Sequence, residues 1–255
     1  MTGLVLTLLL QGASVASAQT AAAPAPTDHR PAAFVVGEHL RYAVKIGMLR
    51  VGTATMSVVG LDTVRGVESY HFVFTLDGGV LGYRVHDRVE AWTGRDDLIT
   101  RRFYKKIEEG SFRAEELLEI FPDSGYYIVN GGERRPTPPE PLDETSFFYF
   151  MRSVPLEVGQ TYVYHRYYKA ENNPLTIAVT KREWIKLPDG TKVQSLKLEP
   201  VMGQHDLLAR RVRAQVWLTD DQRRLPARIR LKTPYGTLTL KLEAIEHVEP
   251  DAPTE

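Results

Sequence analysis

No cysteine occurs anywhere in this 255-residue chain, which removes disulfide staples, thiol catalysis and cysteine-ligated metals together. An excess of one charge is also missing. Lys plus Arg number 32 and Asp plus Glu number 32, so no long-range field draws the protein toward nucleic acid or an anionic membrane. No apolar run approaches the ~20 residues a membrane-spanning helix needs. The sequence holds no nucleophile elbow, P-loop, dinucleotide fingerprint or HExxH, the motifs that would announce a hydrolase, nucleotide or zinc site. Its seven histidines, at positions 29, 39, 71, 86, 165, 205 and 247, show no spacing suited to a metal. Neither cofactor nor metal is expected, and no catalytic residue is assigned.

What is present begins at the N-terminus. A short apolar run, Leu4 to Leu10, leads to Ala16-Ser17-Ala18, the A-x-A form accepted by signal peptidase, with cleavage expected before Gln19. No Lys or Arg precedes the run, which departs from the usual pattern, and no lipid-accepting cysteine follows it. The expected product is a soluble exported protein of a Gram-negative periplasm. Residues 19–33 are rich in Ala and Pro and read as a disordered leader. Residues 34–247 read as a single β-rich domain and 248–255 as a disordered tail.

Strands declare themselves by period two. Leu40, Tyr42, Val44, Ile46 and Met48 alternate with polar or small neighbours, as do Tyr70, Phe72, Phe74 and Leu76. Similar patterns run through 83–91, 98–107, 112–121, 126–130, 161–168, 174–186, 191–200, 210–218, 225–233 and 237–246. Turn chemistry separates them, for example Pro122-Asp-Ser-Gly125 and Pro188-Asp-Gly190. About a dozen strands, each apolar on one face, predict a mainly all-β fold: a curled antiparallel meander or half-barrel. One segment breaks the period. Phe147, Phe150, Met151 and Val154 recur at helical spacing behind Asp143 as N-cap, predicting one aromatic helix packed on the concave side.

Phe34-Val-Val-Gly-Glu38-His-Leu-Arg-Tyr42, Gly52-Thr-Ala54, Asp143-x-x-Ser146-x-x-Tyr149-x-x-Arg152 and Val216-Trp217-Leu-Thr-Asp-Asp221-x-x-x-Leu-Pro226 resemble the bacterial exported family DUF3108, in colinear order over residues 34–246. The resemblance implies an exported β-rich domain of unassigned biochemical role. Its architecture looks like the half-barrels of LolA/LolB-type periplasmic carriers, an analogy at the level of fold.

Several residues then become candidates for ligand binding. Asp87 shares the inward face with Tyr83, Val85, Val89 and Ala91, where a carboxylate needs a partner or a proton. A structural salt bridge or backbone bond is one reading, and a raised-pKa acid in a cavity the other. Phe147, Phe150 and Met151 are either core or the underside of a lid. Asp143 and Ser146 explain themselves as cap and first-turn residues, while Trp217, Asp221 and Pro226 read as maintaining the fold. Arg211, Arg213, Arg228, Arg230, Lys232 and Lys241 lie opposite apolar neighbours in the last strands and predict a basic outer patch. Its partner would be an anionic or acyl-bearing envelope component, with no nucleic acid and no transmembrane segment.

Three functions follow as expectations. The first is a non-enzymatic binding or carrier protein whose concavity receives a hydrophobic or amphipathic envelope ligand. The second is a structural or partner-binding envelope protein with a filled core. The third is a hydrolase of an envelope polymer, built around clustered carboxylates with His86 or His165.

Overall fold

A computed structural model describes residues 33–202, 213–233 and 236–249. The strands are β1 Glu38–Ile46, β2 Leu49–Val64, β3 Val67–Val80, β4 Tyr83–Gly94, β5 Thr100–Glu109, β6 Phe112–Phe121, β7 Tyr126–Val129 and β8 Arg134–Pro136. After the helix α1, Glu144–Ser153, come β9 Thr161–Tyr164, β10 Leu175–Lys186, β11 Lys192–Met202, β12 Arg213–Thr219, β13 Pro226–Thr233 and β14 Gly236–His247. They form one 14-stranded sheet in the order β8-β7-β6-β5-β4-β3-β2-β1-β14-β13-β12-β11-β10-β9. The fold is therefore two meanders spliced by the pairing of β1 with β14, from Glu38↔His247 to Ile46↔Leu238. The segment containing α1 connects the sheet's two outer edges.

The curl follows from spacing. Neighbouring strands stand about 4.8 Å apart, so β3 and β9, eight intervals apart in this order, would be separated by about 38 Å in a flat sheet. Yet Tyr149 stacks on Phe72 of β3 with centroids 3.7 Å apart, and the next residue, Phe150, meets Tyr164 of β9 edge-on at 4.9 Å. Tyr127 of β7 likewise reaches Tyr168, just past β9, at 5.2 Å. The sheet wraps around α1 as an open half-barrel, and β8 and β9 are not paired with each other. The seam is bridged by the Thr137 hydroxyl donating to the Tyr168 carbonyl and by a parallel bridge between Leu142 and Tyr167.

Inward rows supply the core. Leu40, Tyr42 and Val44 of β1, Ala54, Met56 and Val58 of β2, and Phe72, Phe74 and Leu76 of β3 are all buried. The alternation missed β2, where Gly52 and Gly60 interrupt the pattern and the register shifts between Val58 and Gly60. The first strand also ends earlier than expected. Gly47 takes a positive φ of 60°, so the chain turns there and Met48 sits on the hairpin tip instead of the inward face. At the other end of the expected 161–168 strand, the chain leaves the sheet after Tyr164 to form the seam.

Helix α1 matches its sequence signals. Asp143 caps it, accepting from the Thr145 and Ser146 amides, and Val154, extended before Pro155, ends it. All ten of its residues are buried, where the periodicity required only one stripe.

Candidate functional site

Because α1 is buried on every side, its polar residues must find partners inside. Asp143 Oδ1 accepts the amides of Thr145 and Ser146 at 2.7 and 3.0 Å. Its Oδ2 accepts the Thr100 hydroxyl at 2.8 Å and that of Ser146, while Thr93 Oγ1 lies 2.5 Å from Ser146 Oγ. Burial raises the Asp143 pKa to about 6, with Glu144 adding to it and these hydrogen bonds opposing. The Asp-x-x-Ser pair is thus a solvent-free clasp joining α1 to β4 and β5, without the access a nucleophile needs.

Arg152 closes the helix's other end. It donates to both carboxylate oxygens of Glu38, and through Nη2 to the carbonyls of Ala33 and Arg223. Burial works against its charge, but the bond and charge of Glu38 outweigh burial and leave its pKa above the ordinary guanidinium value. Phe147, Phe150 and Met151 are 0%, 1% and 0% exposed. These three candidate ligand contacts belong to the buried hydrophobic core.

Asp87 does point inward and is buried. No salt bridge reaches it among the described residues. Instead its Oδ1 accepts the Glu108 amide at 3.1 Å. Burial first, and the neighbouring Glu109 charge second, raise its pKa to about 7. Asp87 thus binds backbone and has a raised pKa, and the cleft at the β10–β11 hairpin does not include it. His86 is on the opposite face, exposed and paired with Asp77.

The outer face of β10–β14 and β1 is organised differently. Register places Lys181 opposite Lys197, Lys197 opposite Trp217, Trp217 opposite Arg228, and Arg228 opposite Lys241. One straight row across five strands thus reads Lys-Lys-Trp-Arg-Lys. Trp217 is only 3% exposed although it faces outward, because Lys197, Arg228 and Arg230 lie over its ring at 5.7, 5.3 and 5.4 Å. Its indole N–H donates to Glu183. Glu183 also pairs with Lys181, and Glu199 with Lys197, both at 2.9 Å. Among the described residues, Arg228, Arg230, Lys232 and Lys241 take part in no salt bridge. The next row toward the β13–β14 turn runs Gln215, Arg230, Thr239, Lys45. At the β10–β11 hairpin, a shallow cleft of about 490 Å³ is lined by Trp184, Ile185, Lys186 and Lys192.

Residues 41–243 match the family model described as "Protein of unknown function (DUF3108)". The chain belongs to the DUF3108 family. Its fold is similar to that of a β-barrel-like DUF1849 protein from Brucella abortus, at 10% identity and a TM-score of 0.53, covering 87% of this chain and 100% of that one. A hypothetical protein of Chlamydia trachomatis aligns more loosely, at 8% identity and a TM-score of 0.39, over 87% of this chain and 94% of that one. No curated protein matches this chain in sequence.

In this DUF3108 domain the sequence-predicted candidates separate into three places. Phe147, Phe150 and Met151 are in the core; Asp87 is on the inward face of β4; Arg228, Arg230 and Lys232 are on the outer face. Of Arg213 only the backbone is described, opposite Lys232, and Arg211 lies outside the described residues, as do residues 1–18. Missing from the sequence reading was the role of Trp217, whose outward placement between cations was signalled by its position one residue past the inward Val216. Lys181 and Lys197 were missed because their strands are far from β13 in the chain and join it only through sheet order.

Proposed function

We propose that this DUF3108 chain is an exported, non-enzymatic binding protein of the cell envelope that holds an anionic component against the outer face of β10–β14. The observation that carries this reading is the row Lys181, Lys197, Trp217, Arg228, Lys241. Like charges directly opposite one another weaken a sheet, and among the described residues the salt bridges of this row are those of Lys181 and Lys197. An anionic ligand supplies the missing countercharge, and arginines resting on an indole present their guanidinium edges to phosphate or carboxylate in a fixed orientation. Export rests on Ala16-Ser17-Ala18 behind the apolar run. The burial of all ten α1 residues in the concavity favours binding outside the half-barrel over transport of an acyl chain within it.

The test is co-sedimentation of the wild type and an Arg228→Ser/Arg230→Ser variant with isolated wall polymer and with anionic vesicles across a salt series. Each cation near an anionic surface contributes roughly fivefold, so the variant is expected to bind roughly tenfold or more weakly, and wild-type binding to fade with salt. Equal, salt-insensitive partitioning of both proteins would reduce the patch to solvated surface.

A further inference from the structure

Two neighbouring hairpins end in exposed apolar side chains. The β1–β2 turn presents Ile46, Met48 and Leu49, and the β3–β4 turn presents Val80, Leu81 and Tyr83, all exposed. Met48 is 98% exposed and Leu81 is 106% exposed. The pairing of Gly52 with Gly78 sets both tips at the same end of the half-barrel. Ile46 pairs with Leu238 just after the β13–β14 turn, so the tips adjoin the cationic face at the β1–β14 corner.

Leu81 is an unfavourable choice for the turn itself. Leu81 and Gly82 form a two-residue connection with φ of 47° and 84°, the left-handed pair that favours Asn-Gly or Asp-Gly. At the opposite end of the barrel, Arg65 and Gly66 adopt the same values, 49° and 82°. There the Arg65 side chain is used, donating to Glu119 and to the carbonyls of Arg101 and Ile120. Leu81 has a left-handed backbone and a solvent-exposed side chain, with no such compensation among the described residues. A local rule broken without internal gain marks a site working for something outside the fold.

The occupant follows from shape and charge. Convex, separate tips have no walls to match a rigid partner, but they suit a fluid apolar phase that deforms around them. Lys45 and Arg84 flank the tips, Arg50 beside them is paired with Glu243, and the row through Arg230 ends at Lys45. Apolar residues at the point with cations beside them in sequence and register are the arrangement of an interfacial anchor, with Tyr83 placed for the headgroup layer. We infer that the β1–β2 and β3–β4 tips insert into an anionic phospholipid bilayer while the adjoining cations meet its phosphates. This rests on the binding reading above and names its anionic component as phospholipid headgroups.

The test is vesicle flotation with phosphatidylethanolamine/phosphatidylglycerol and with phosphatidylcholine alone, alongside binding to isolated wall polymer. Wild type, Met48→Asn/Leu81→Asn and Arg228→Ser/Arg230→Ser are compared. Each apolar tip kept out of the bilayer costs roughly tenfold or more in partitioning, so the tip variant is expected to lose flotation and keep any polymer binding. Asn suits the left-handed position, so Leu81→Asn alone should melt at or above the wild-type temperature while floating less. Undiminished flotation of the tip variant would overturn insertion and leave binding through the cationic face intact. Wild-type binding to polymer with no flotation on either vesicle would also overturn it. If neither vesicles nor polymer bind the wild type, the binding reading falls with it.

Discussion

Arg152 and Glu38, 114 residues apart in sequence, form a two-pronged ion pair at 2.6 and 2.8 Å, with side chains 0% and 10% exposed. It fixes the C-terminal end of α1 to the start of β1, the strand that splices the two meanders. Removing one member leaves a buried charge alone, so Arg152→Met should destabilise the fold by about 3–5 kcal/mol. Glu38→Gln/Arg152→Met should recover part of that loss in urea denaturation. A single variant as stable as the wild type would show that the pair does not anchor the helix.

Phe150 lies between the Tyr164 ring and the Arg166 guanidinium, 4.9 and 4.7 Å from its own ring centroid. Phe150→Ala should therefore cost about 3–5 kcal/mol, the range for aromatic truncation in a packed core. A loss below about 1 kcal/mol in the same assay would describe a mobile lid.

Asp87 makes stability depend on pH. Its folded pKa of about 7 exceeds the ordinary value of 3.8, so the native state holds the extra proton between those values. Stability from this group is full below about pH 4, falls as pH rises toward 7, and then levels off. Asp87→Asn keeps an acceptor for the Glu108 amide and removes the titration. It should be near neutral at pH 4 and stabilising at pH 8 by roughly 1–2 kcal/mol, after allowance for solvent screening. Parallel pH–stability curves for variant and wild type would contradict the assignment.

Arg228 and Arg230 are half-buried over Trp217, and each such contact contributes roughly 0.5–1 kcal/mol. Arg228→Ser/Arg230→Ser should accordingly lose less than about 2 kcal/mol and remain folded by thermal melting. A collapse of the fold would mean that the row serves stability.

The inward rows of Leu40, Tyr42 and Val44, the cap at Asp143 and the stripe of Phe147 and Phe150 were legible because period and capping are local properties. Strand β2 was not, since its small residues and bulge dilute the alternation. The union of β1 with β14 is a long-range pairing that periodicity does not encode. The cationic row inherits the same difficulty: Arg228 was visible as an outward residue, but its neighbours Lys197 and Lys181 are fixed only by sheet order. Leu81 reads from sequence as an ordinary apolar residue, and only its positive φ and exposure distinguish it.

The filled interior is tested most directly by native-state amide hydrogen exchange of α1, with and without anionic vesicles. A helix clasped by Asp143 and Arg152 should exchange from Phe147 to Ser153 only through global unfolding, at the same free energy as β1 and β2. Vesicles should leave that value unchanged and slow exchange only near the β1–β2 and β3–β4 tips. Opening of α1 well below the global free energy, or protection of α1 that appears on adding lipid, would contradict a filled half-barrel and reinstate a lid over an internal ligand site.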